Sequence, residues 1–271
     1  MYSETFRALV NEAMFTKDIL GAGATQIRKG NYAQKGMYFQ SFTSLSTGLE
    51  RIGKLCLMLD YYIEHGGHFP DFRYLKNEIG HDIELIYQKS KEIVRKRNIK
   101  LRTLQNLDGE IHLNIIMSLS AFAKGDRYSN INVLINSKQQ SDPVSRWFES
   151  VDLKLFETKV TKRKKLKIAH NAIVIDQIMG RISLVRHSSE TGTSITSVEE
   201  ASFRTGVFEA VAPLRQLFVL QIIRYWVEMI RELQYMAMED CRENIPFFSE
   251  IFAPFFNDDS YLKSRKTWDT F

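Results

Sequence analysis

The sequence predicts an all-α protein: an antiparallel helical bundle with additional C-terminal helices. Three observations carry that prediction. Apolar residues recur at Tyr38, Phe42, Leu45, Leu49, Ile52, Cys56, Leu59 and Ile63 in alternating steps of four and three, drawing one stripe along a helix of about seven turns. A second, wider arc runs through Leu214, Phe218, Ile222, Tyr225, Met229, Leu233 and Met236. Strand signals are few, and the most β-branched run, I-A-H-N-A-I-V-I-D-Q-I-M, is not interrupted by an Asn-Gly or Asp-Gly hairpin turn.

The elements follow in order. Phe6, Leu9, Val10, Ala13 and Phe15 place a helix in the first twenty residues, and Leu20-Gly21-Ala22-Gly23 is expected to end it as a C-cap and turn. Those two glycines are not a dinucleotide fingerprint, since no strand precedes them. The long helix spans about 33–64, with Glu50 and Lys54 one turn apart off the stripe. A loop with Gly66, Gly67 and Pro70 leads to Gly80-His81-Asp82, where Asp82 is placed to cap a helix over 82–97. Asn106-Leu107-Asp108-Gly109 signals a turn before a helix over 109–124. Residues 136–143 are polar and read as a loop, and Trp147, Val151, Leu155 and Phe156 mark another helix. Residues 162–186 fit either helix or strand, with helix favoured, and 187–198, rich in Ser, Thr and Gly, read as a mobile loop. The last main helix is expected over 213–240, its broad apolar arc buried in the core or against a second subunit. The tail I-P-F-F-S-E-I-F-A-P-F-F carries aromatics dense enough to need cover. Residues 1–136 are expected to form the bundle core and 137–271 a helical extension packed on it, in one continuous domain.

Composition narrows the function classes. With 271 residues, 44% of them apolar, the chain can bury a large core without disulfides. Cys56 and Cys241 fall on predicted helices with no C-x-x-C, as buried free thiols in a reducing cytosol would. The N-terminus mixes Glu4, Arg7, Glu12, Lys17 and Asp18 with its apolar residues, unlike a signal peptide. The longest apolar segment is interrupted by Arg215, Gln221, Arg224 and Glu228, against a membrane span. A soluble cytoplasmic protein is expected. The net charge of +5 is unevenly spread: residues 89–102 hold seven basic side chains and one acid, and 159–167 hold six and none. Such runs neutralise phosphates or form solvated helix faces.

Known catalytic signatures are mostly missing. The six histidines are scattered, His65 and His68 flank a Gly-Gly loop without H-E-x-x-H, and neither G-x-S-x-G nor G-x-x-x-x-G-K-[ST] occurs. No metal and no cofactor are expected.

The stretch from Tyr38 to Asn130, with its long helix bearing E-x-x-x-K, its glycine-containing turn and its G-H-D-I helix start, resembles the HEPN superfamily (higher eukaryotes and prokaryotes nucleotide-binding domains). The resemblance implies that Glu50, Lys54, His81, Asp82, Arg127 and Tyr128, matching E-x-x-x-K, H-D-[IL] and R-Y, bind a nucleotide or RNA. The competing role for them is structural, with Asp82 as a cap and Arg127 bridging Glu50 or Asp82. Ribonucleases of the superfamily carry R-x(4–6)-H. In that chemistry a guanidinium stabilises charge at phosphorus and an imidazole moves protons as the 2′-hydroxyl attacks. Arg163 and His170 match with six intervening residues, and Arg181 and His187 with five; in neither does the frequent Asn follow the Arg. Arg163 and His170 are the preferred catalytic pair. The resemblance further implies a homodimer, with 213–240 as candidate interface, and a metal-independent endoribonuclease of a toxin or anti-phage system. The alternative is a non-catalytic helical module that binds a protein partner, such as a nucleotidyltransferase-type toxin, or a small ligand.

Overall fold

A computed structural model describes residues 2–137, 141–239 and 245–269, and the chain is predominantly helical. Helix α1 (Glu4–Ile27) starts at Ser3, whose hydroxyl accepts from the Phe6 N–H at 3.1 Å. It runs straight through Gly21 and Gly23, so the expected C-cap there is wrong. Gly23 serves packing: a Cβ on it would stand 2.7 Å from Leu45 Cγ, and one on Gly48 would stand 2.6 Å from Leu20 Cδ2. These reciprocal contacts fix α1 antiparallel to α2 (Lys35–Glu64) at close approach.

Helix α2 is the central element. Its stripe from Tyr38 to Leu59 is buried as the spacing predicted, but Ser41, Ser46, Leu55, Leu57 and Tyr62 are buried too, because α1, α3 (Ile83–Lys96), α4 (Glu110–Lys124) and α9 (Val198–Glu239) all pack on it. Asp82 is the α3 N-cap, accepting from the Leu85 N–H at 3.2 Å. Helix α5 (Ser129–Leu134) precedes the polar segment, of which 138–140 lie outside the described residues. The helix expected around Trp147 comes in consecutive pieces: α6 (Pro143–Trp147), a π-turn over Phe148–Asp152, and α7 (Leu153–Lys159).

The ambiguous segment is helical over α8 (Lys162–Met179), lying antiparallel on the first half of α9 with Ile168 against Gly206. The expected loop after it contains a short antiparallel hairpin, β1 (His187–Ser188) with β2 (Ser194–Ile195), and Ile195 is fully buried. Helix α9 begins at Val198, fifteen residues before the expected start, and carries Pro213 inside it. Its expected end at Asp240, like Cys241, lies outside the described residues. Cys56 is a buried free thiol.

Every residue from Val219 to Ile230 is buried. The polar interruptions of α9 are where other segments attach. Gln216 donates to the carbonyls of Ala24 and Lys266, Arg224 donates to Asn257 O and Asp259 at 2.7 Å each, and Glu228 accepts from the Arg102 N–H at 2.6 Å and from Thr103. The aromatic tail, with α10 (Phe248–Ile251) and α11 (Asp259–Ser264), lays Phe248, Phe252, Phe255 and Trp268 over this helix and α1 at zero exposure. Helix α9 is long and apolar enough to cross a membrane by composition, yet 61% of that window is buried within the protein.

Candidate functional site

The E-x-x-x-K and G-H-D segments meet at one corner. Gly80, at φ +59°, takes a left-handed turn that brings His81 to α2. His81 Nδ1 lies 3.0 and 3.1 Å from the two Glu50 oxygens, and Lys54 Nζ donates to Glu50 at 2.7 Å. Next to it, Asp82 accepts from Ser120 Oγ at 3.0 Å and from Lys124 Nζ at 2.6 Å. Burial pushes the Asp82 carboxyl upward, but the bonds from Lys124, the Leu85 N–H and Ser120 outweigh it and hold its pKa below the usual carboxylate value. Lys124, which the sequence reading passed over, fills the bridging place expected for Arg127. Arg127, on the turn after α4, donates back to Ala123 O of that helix, 2.8 Å away, and stands 5.6 Å over the exposed Tyr128 ring. The corner thus joins Glu50, Lys54 and His81, and the Asp82–Lys124 pair follows His81 directly in the chain. Lys54 also opens onto a groove of about 630 Å³ between α1 and α2, lined by Arg51, Leu55, Met58 and Phe69.

Arg163 and His170 lie on α8, two turns or about 10 Å apart along its axis, both exposed. Among the described residues neither side chain makes a hydrogen bond or ion pair. Arg163, Leu166, His170 and Ile173 succeed one another at steps of three, four and three, a single stripe turned away from the buried Ile168 and Ala172. Leu166 and Ile178 on this outer side are 61% and 68% exposed. Of the second pair, His187 starts β1 with its ring edge-on to Tyr32 at 5.6 Å.

The two basic runs do not converge. In the first, Arg97 pairs with Asp60, Lys96 with Glu64, and Lys91 with Asp108 at 3.0 Å. That run closes on the far end of α9 at Glu228, while α8 rests at Gly206. Twenty-two helical residues, about 33 Å, separate the two contacts. Among the described residues no group of three or more His, Cys, Asp or Glu side chains could hold a metal ion. His65 instead stacks on Tyr61 at 3.6 Å.

One polar cluster escaped the sequence reading. Asp152, on the π-turn, accepts from Tyr38 Oη at 2.9 Å, Arg215 Nη1 at 2.7 Å and Trp147 Nε1 at 3.2 Å. Arg215 also donates to Tyr38 Oη and Gly30 O. Burial raises the Asp152 carboxyl against the opposing pull of Arg215, and it raises the Tyr38 phenol as well. Tyr38 stood on the apolar stripe and Arg215 interrupted an apolar arc; neither position in sequence points to Asp152.

Comparison with protein-family models, with curated proteins and with solved structures finds no match to this chain.

Proposed function

We propose that this chain is an HEPN-like helical protein, soluble and cytoplasmic, that binds RNA and acts as a metal-independent endoribonuclease in a toxin or anti-phage role. The observation that carries the reading is the outer stripe of α8. Arg163 and His170 share it in solvent reach, beside Lys162, Lys164 and Lys167, which suit phosphates. In this chemistry His170 takes the 2′-hydroxyl proton, the alkoxide attacks phosphorus, and Arg163 holds the non-bridging oxygens as the 5′-oxygen leaves. The exposed apolar residues that flank the pair support a homodimer that pairs two α8 stripes, so that each phosphate meets groups from both chains. The interface expected over 213–240 has less support, since α9 is largely covered by its own chain.

The separation of the two basic runs favours a second reading, a non-catalytic module that presents α8 to a protein partner. Incubating a mixed RNA pool in EDTA with wild type, Arg163→Ala and His170→Ala separates the two. Each variant should first show an unchanged melting temperature, as expected of exposed side chains. Cleavage by wild type and a loss of at least about a hundredfold in each variant is the expected result. No cleavage by wild type leaves the binding module.

A further inference from the structure

The Tyr38–Asp152–Arg215 cluster is one wall of a cavity of about 400 Å³, a size that accommodates small ligands. Leu153, Phe156, Phe203, Val207, Phe208 and Val211 give it a mainly apolar lining. The β-hairpin contributes to the lining as well. Its turn, closed by Gly192 at φ +83° with Gly192 N–H on Ser189 O at 3.0 Å, presents Glu190, which is itself buried. Arg204 holds Glu190 at 3.3 Å and Glu200 at 3.1 Å across the rim.

Within this enclosure the charges are spoken for. Asp152 is matched by Arg215, and Glu190 and Glu200 share Arg204, leaving three carboxylates to two guanidinium groups, which disfavours an anion. A cation would find the aromatic faces already covered, since Arg215 lies 5.1 Å over Tyr38 and 5.4 Å over Phe208, and Lys165 lies 5.4 Å over Phe156. Arg215 itself is 1% exposed, so its guanidinium adds little polar surface to the cavity.

We propose that this cavity is a binding site for a neutral, mainly apolar small molecule about two fused rings in size. The site is independent of the α8 stripe and of any RNA chemistry there.

The neutral naphthyl ketone dye prodan has this size, and its emission shifts to the blue in apolar surroundings. Titrated with the full-length chain, it should bind saturably at one dye per chain with blue-shifted emission. Val207→Trp, which fills the cavity, should weaken binding at least about tenfold. Phe203→Ser, at a lining residue that is 36% exposed, should weaken it too and decides the matter if Val207→Trp lowers the melting temperature. Leu166→Ser and Ile178→Ser, on the exposed α8 face, should leave it unchanged. The proposal is overturned by the absence of saturable binding, by binding indifferent to the cavity substitutions, or by binding lost on the α8 substitutions instead.

Discussion

Two aspartates show how neighbours decide what a carboxylate does. Asp82 is partly exposed and surrounded by donors; Asp152 is buried and closed by a single guanidinium, a phenol and an indole. Asp82 carries a readable pH dependence. Its folded pKa lies below the ordinary carboxyl value, so it adds stability at pH values above the unfolded value of about 3.9, and that stability is lost as the pH falls through the folded one. Asp82→Asn keeps the shape of the cap and removes the charge. Its melting temperature should fall below that of wild type at neutral pH and converge with it as the solution is acidified. A gap that stays constant down to about pH 2.5 would sink the assignment. Asp82 as a cap was legible because a cap is a local event, settled within three residues of chain. Asp152 was not, because its partners Tyr38 and Arg215 are 114 and 63 residues away.

Helices α2, α3 and α4 could be placed from sequence within a residue or two, since apolar spacing, caps and turns act over short range. The errors came where packing overrode local preference. Gly21-Ala22-Gly23 reads as a terminus until Leu45 is seen to occupy the space a side chain would need. Pro213 resembles a helix start until Val198 to Ala212 are seen to continue the helix before it. Helix α8 presents the reverse case. The α9 face that supports it covers only Ile168 and Ala172 fully, and Ile173, Val174, Ile175 and Ile178 remain exposed. A run of that kind is favourable to cover. If two copies pair through this stripe, light scattering should report a dimer for wild type, and Ile173→Glu with Ile178→Glu should yield a monomer with the same melting temperature. A wild-type monomer at about 100 µM, well above a typical 1 µM dissociation constant, would exclude the homodimer.

At the scale of the molecule, one apolar cluster extends from Leu9 to Trp268. The carboxy-terminal segment is part of it. Phe248, Phe252, Phe255, Leu262 and Trp268 are all at zero exposure, and truncation after residue 244 would bare the face of α9 they cover. Each large apolar side chain so buried contributes about 1.5–3 kcal/mol, and together they rival the whole stability of a typical domain. The truncated chain should therefore lose its cooperative melting transition by circular dichroism; a truncated chain that melts like wild type would show the tail to be an accessory.

Trp268 also bears on how the protein is made. Its backbone N–H donates to Thr25 Oγ1 at 2.7 Å across 243 residues of sequence. At a bacterial-to-eukaryotic synthesis rate of about 5–20 residues per second, the ribosome needs roughly 12–50 s to deliver the second partner after the first. Throughout that interval the nascent chain carries an apolar surface whose cover has not been translated, and the earlier helices wait on residues made 243 positions later.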